Sequence, residues 1–150
     1  LIAVVLGADS TKQRAKEAAS LLQYGFRSFD TVKLYANNSP IGQKRVWLGN
    51  QQKIEVGLEK DLFITIPKGK YRALTAKVET QKYILAPQNK YAPIGKLTIA
   101  YEKNTLTEKP LVVLNQITKG SLWQRLKDRM QLALDSFLGQ EHEVEIAKAE

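Results

Sequence analysis

Apolar and polar positions alternate along the middle of this chain, while its two ends follow other periods. Between Thr31 and Ile117 the apolar residues come in short runs of period two, each stopped by turn residues. That is the pattern of strands with one buried face. Leu62, Ile64 and Ile66 alternate with Phe63 and Thr65 before Pro67-Lys68-Gly69. Leu74, Ala76 and Val78 alternate with Thr75, Lys77 and Glu79, and Leu97, Ile99 and Tyr101 with Thr98, Ala100 and Glu102. Asn104 marks a hairpin tip. Shorter runs at Thr31–Tyr35, Lys44–Leu48, Ile54–Val56, Tyr83–Leu85 and Leu111–Ile117 complete the set. About eight short strands at this spacing predict a small antiparallel β-sandwich or barrel-like domain over residues 31–118, closed without help from its flanks.

The first thirty residues have a different texture. Leu1-Ile-Ala-Val-Val-Leu-Gly7 is a continuous apolar run, as in a strand covered on both faces. A helix should follow, with Ser10 and Gln13 spaced as a capping box. Ala15, Ala18, Ala19 and Leu22 share one face of it, and Tyr24-Gly25 reads as a stop with a C′ glycine. One strand and one helix have too little core to stand alone. Residues 1–30 are therefore expected to be the edge of a larger α/β or α+β domain, and a start on Leu1 with no visible signal peptide fits a piece of a longer polypeptide.

A helical period returns between Gly120 and Gly139, with Ser121 as N-cap. At ~100° per residue, Leu122, Ala133, Leu126, Phe137, Met130, Trp123, Leu134 and Leu138 fall in one arc of roughly 160°. Gln131, Asp135 and Asp128 lie opposite. Lys127 sits within one margin of the arc, Arg129 and then Arg125 beyond the other, and Leu132 alone is out of place. Cations at the margins suit a helix lying in a lipid surface, their stems along the apolar face and their heads at phosphate. Trp123 suits headgroup depth. With about 18 residues and five charges, the stretch is too short and too polar to span a bilayer, which takes ~20 mostly apolar residues. Periodicity leaves a lipid surface, the domain's own core and a partner's groove all open as what covers this arc. Residues 140–150 are acidic and weakly periodic, and read as a solvated or disordered tail.

Charge changes the picture more than composition does. The 150 residues are 43% hydrophobic and 25% charged, ordinary for a globular protein, with no cysteine and hence no disulfide or thiolate chemistry. The net charge of +8 is concentrated in residues 31–118, which hold fourteen cations against six anions. The middle domain would be drawn to polyanions. Its most basic loop, Pro67-Lys-Gly-Lys-Tyr-Arg72, could grip one with Tyr71 stacking on a ring. A solvated turn whose lysines blunt edge pairing is the better reading, because the aromatic pattern of single-strand binders is missing. Nucleic acid is thereby disfavoured as a partner.

Catalytic chemistry is absent. His142 is the sole histidine and lies in the polar tail, which argues against a Ser-His-Asp triad or a multi-histidine metal site. No phosphate-cradling glycine motif occurs. None of the six serines has a lysine three residues later, and neither Ser-x-Asn nor Lys-[Ser/Thr]-Gly is found. No catalytic residue, metal site or cofactor is expected in these residues.

Several stretches, in order, resemble a known family. They are Leu1–Gly7 with Arg14, the Leu21-Leu22-x-Tyr-Gly-Phe-Arg-x-Phe29 segment, Val46-Trp47-Leu48-Gly49, Leu62-Phe-Ile-Thr-Ile-Pro-Lys-Gly69, Ala86-Pro87, Gly95-Lys-Leu97 and Pro110-Leu-Val-Val-Leu114. Together, over residues 1–138, they resemble the C-terminal part of the low-molecular-mass penicillin-binding proteins, the serine-type D-alanyl-D-alanine carboxypeptidases of bacterial cell-wall metabolism. The resemblance implies that residues 1–30 are the last strand and helix of a β-lactamase-like catalytic domain. It implies a β-rich domain over 31–118 and a membrane-surface helix over 119–139. The parent enzyme would trim the terminal D-alanine from peptidoglycan stem pentapeptides through a serine acyl-enzyme, the step that β-lactams trap. It would lie peripherally on the periplasmic face of the cytoplasmic membrane. Implied partners are anionic lipid, the absent catalytic domain and, through it, peptidoglycan. The acidic tail departs from the family's usual ending. The competing expectation is a basic β module that binds a polyanion or recruits a protein, with no enzymatic parent.

Overall fold

A computed structural model describes residues 1–138 and the backbone of Glu145–Ile146, with side chains through Leu134. Helix α1 spans Thr11–Ser28, and the strands are β1 (Phe29–Tyr35), β2 (Pro40–Trp47), β3 (Lys53–Gly57), β4 (Leu62–Pro67), β5 (Leu74–Thr80), β6 (Ile84–Leu85), β7 (Pro93–Tyr101) and β8 (Asn104–Val113). Helix α2 (Leu122–Leu138) and a short β9 (Glu145–Ile146) follow. The chain is mainly β, and its sheet curls into a half-barrel.

Two sheets share the core. One pairs β1 with β4, and the other runs β5-β7-β8-β3-β2-β6, with β9 also on β2. All pairs are antiparallel except β2 with β6. The alternation in the sequence is the alternation of burial. Leu62, Ile64 and Ile66 of β4 turn inward against Ile54 and Val56 of β3, Leu97 and Ile99 of β7 and Leu111 and Val113 of β8. Phe63 and Thr65 turn out. Trp47 is buried at the end of β2, with Tyr83 edge-on at 6.3 Å and the Arg45 guanidinium 3.8 Å from its ring centre.

Four expectations are corrected. Residues 1–7 form no strand. Leu1, Ile2, Val4 and Leu6 are 72–92% exposed, because among the described residues no neighbouring strand takes their backbone groups. Helix α1 begins as expected, with Gln13 N donating to Ser10 Oγ at 3.1 Å, but runs through Gly25 to Ser28. Gly25 therefore stands inside the helix and not at its end, and its nearest neighbour is the rotatable tip of the exposed Leu1 side chain, 2.9 Å from where a Cβ would stand. Strand β8 starts at Asn104 and ends at Val113, while Ile117 makes only an isolated bridge to Gln88. The first half of β8 is wetted on both faces, so its residues carry no apolar signal. In the tail, Glu145 and Ile146 pair with Gln43 and Gly42 of β2 where a solvated segment was expected. His142 lies outside the described residues.

Candidate membrane-surface helix

The path into α2 is fixed by backbone contacts at the end of β2. Lys119 bridges Gly49, Asn50 N donates to Thr118 O at 3.1 Å, and Gly120 N donates to Leu48 O at 2.9 Å. A side chain at Gly120 would put its Cβ 2.5 Å from Gly49 O, so the chain can lie this close only with glycine there. The helix then opens on a reciprocal cap. Gln124 N donates to Ser121 Oγ at 3.4 Å, while Gln124 Oε1 accepts from Ser121 N at 3.0 Å. Ser121 was legible as an N-cap, whereas its partner Gln124, spaced as a Ser-x-x-Gln box, was missed.

The polar side of α2 faces the β domain. Asp128 Oδ2 accepts from Leu48 N at 2.7 Å, and Gln131 Oε1 accepts from Arg45 Nη2 at 3.0 Å. Arg45 is itself held over Trp47, which turns its fork toward the helix. Leu132, the one residue out of place on the helical wheel, is half-buried on this same side, together with Arg125 and Asp128. It fills the inner face.

The apolar arc faces outward. Leu122, Trp123, Leu126, Met130 and Leu134 are 56–83% exposed, a degree seldom left uncovered in adjacent large apolar side chains. Ala133, Lys127 and Arg129 are exposed with them. Trp123, Leu126, Met130 and Leu134 border an open groove of about 470 Å³ with Lys127 and Gln131 on its rim. Phe137 and Leu138 lie on the helix by their backbone, and their side chains lie outside the described residues. The structure thus gathers Leu122, Trp123, Leu126, Met130, Ala133 and Leu134 on one free surface with Lys127 and Arg129, and sets Arg125 nearer the domain. No helix among the described residues is long and apolar enough to cross a membrane.

Among the described residues no three carboxylates or histidines gather as for a metal. The basic loop is a turn with Gly69 at φ +75° and Lys68 paired to Asp30 at 3.7 Å.

Comparison with known proteins gives this arrangement a family. Residues 29–119 match the family described as penicillin-binding protein 5, C-terminal domain. The chain belongs to that family. It is 35% identical over 132 residues to the D-alanyl-D-alanine carboxypeptidase DacD of Salmonella typhimurium, covering 87% of this chain and 34% of that one. It is 31% identical over 140 residues to DacA of Escherichia coli, a D-alanyl-D-alanine carboxypeptidase, covering 93% and 35%. The solved penicillin-binding protein 5 of Haemophilus influenzae superposes with a TM-score of 0.71 at 34% identity, over 77% of this chain and 34% of that one. The chain spans about a third of the length of these relatives. What it shares with them is the C-terminal domain of a low-molecular-mass penicillin-binding protein, not the catalytic one.

Proposed function

We propose that these residues are the spacer and membrane foot of a D-alanyl-D-alanine carboxypeptidase in a bacterial envelope. In this reading the β domain holds a catalytic domain off the periplasmic face of the cytoplasmic membrane, and α2 lies in the lipid surface. One observation carries it: α2 docks on the β domain through its polar side and leaves its apolar side uncovered. A helix serving as core would do the reverse. The exposed run at Leu1–Leu6 is compatible with pairing inside a catalytic domain, and the relatives supply the activity such a domain would have.

The energetics fit peripheral attachment. Removing half of the arc's apolar area from water yields roughly 5–10 kcal/mol before ordering costs. Anionic lipid adds ~1 kcal/mol for each well-placed cation, which here means Lys127 and Arg129. Asp128 costs little of this, because its carboxylate is turned to Leu48.

Flotation of the chain with vesicles of phosphatidylglycerol and phosphatidylethanolamine tests the proposal. The full chain should float, and a chain ending at residue 119 should stay in the load fraction. Equal flotation of the two removes the anchor.

A further inference from the structure

A second surface lies at the seam between the two sheets, independent of α2. Strands β1 and β5 each end their sheet, so among the described residues each carries an unpaired edge. Between them is a cavity of about 290 Å³ lined by Leu34, Tyr35, Tyr71, Arg72, Leu74, Thr75, Ala76 and Ile99. The buried Ile99 supplies an apolar floor, Tyr71 stands half-exposed at the rim, and Tyr35 is half-buried. No acidic residue lines it.

Arg72 is the one charged side chain that lines this cavity. Unlike Lys33, Lys68, Lys77 and Lys96, and like most cations of the domain, it has no carboxylate within 4 Å among the described residues. Its guanidinium is an unpaired planar fork beside two phenols, the donor geometry that suits a carboxylate. Burial, and then the neighbouring Tyr71, push the Tyr35 phenol above its ordinary value, so it stays a neutral hydroxyl. One guanidinium and two phenol hydroxyls thus border an apolar floor, with no carboxylate in the lining, within a domain segment of fourteen cations and six anions.

We propose that this seam binds an extended acidic peptide, which adds to the free edge of β5, seats an apolar side chain over Ile99 and places a carboxylate on Arg72. Strand addition supplies affinity through backbone hydrogen bonds, and the pocket supplies choice of side chain. The charge-assisted pair fixes the register. The basic loop that precedes β5 thereby has a role that its composition alone does not reveal.

The test uses the full chain and a fluorescein-labelled hexapeptide alternating valine with glutamate, followed by anisotropy. The glutamate peptide should bind, with chemical-shift changes along β5. Replacing its glutamates with glutamine, or Arg72 with glutamine (R72Q), should each weaken binding roughly tenfold or more, as loss of a charged hydrogen bond implies. K109Q, an equal loss of charge on β8, should leave the affinity within about twofold, the range of screened surface charge. R72Q is on an exposed side chain, so its fold is checked simply by its unchanged spectrum. Absence of binding, equal affinity for the two peptides, equal effects of R72Q and K109Q, or shifts away from β5 would each overturn the proposal.

Discussion

The carboxylate of Asp128 reaches back eighty residues to the backbone of Leu48, accepting its N–H at 2.7 Å. Leu48 stands at φ +62° just past β2, where the strand has ended and its amide has no ladder partner. Asp128 thus satisfies an amide that the sheet leaves over, and in doing so sets the rotation of α2 about its axis. Asp128→Ala should lower stability by about 1–2 kcal/mol, the value of a partly exposed charged hydrogen bond. Hydrogen exchange at Leu48 should accelerate while exchange in β7 is unchanged. Unaltered protection at Leu48 would show that another group holds the helix.

Gly120→Ala tests the other fixed point. Its Cβ would meet Gly49 O at 2.5 Å, a backbone atom that cannot rotate away. Overpacking of this kind costs about 1–3 kcal/mol. Part of the cost should appear as fraying of the first turn of α2, read from the amide of Gln124, which the Ser121 cap holds.

Glu79 gives the acid limb of stability. Its carboxylate lies 2.8 Å from Lys77 Nζ and 3.4 Å from Lys96 Nζ, and these bonds, Lys77 first, hold it below the ordinary glutamate value. The folded chain therefore takes up this proton later than the unfolded chain does as pH falls. Its contribution is complete at neutral pH and is lost as pH drops through the ordinary glutamate range near ~4.3 and on through the lower folded value. Urea midpoints of wild type and Glu79→Gln should differ most at neutral pH and converge in acid. A constant difference would place the stabilisation elsewhere.

Much of this was legible in residue order, for a physical reason. Strands such as β4 and β5 meet water on one side, so selection for burial writes period two into them. The α2 arc was legible for the same reason: lipid or protein, whatever covers an apolar stripe needs it at helical spacing. What was not legible depends on distant partners. Nothing near Asp128 or Gln131 in sequence points to Leu48 or Arg45. Leu132, an outlier on the wheel, makes sense only once β2 stands beside it. Gly25 has the signature of a helix stop, yet α1 runs on past it to Ser28, where the chain passes directly into β1. The wetted half of β8 is strand because it pairs with β7, not because it is apolar.

The two faces of α2 predict opposite phenotypes for two aliphatic positions two residues apart. Met130 is 66% exposed on the outer face, so Met130→Asp touches nothing that holds the fold. It should leave the thermal midpoint within about 1 °C but weaken vesicle binding by roughly tenfold or more, from lost burial of an apolar side chain worth about 1.5–3 kcal/mol. Leu132 is half-buried against the β domain, so Leu132→Ala should lower stability by about 1–2 kcal/mol, below the range for a fully buried leucine. Its vesicle binding should change less than that of Met130→Asp. Denaturation and flotation on the same two samples check both halves. If Leu132→Ala proved the weaker vesicle binder and Met130→Asp the less stable fold, α2 would lie the other way round, with the apolar arc packed inward and the polar side toward the lipid.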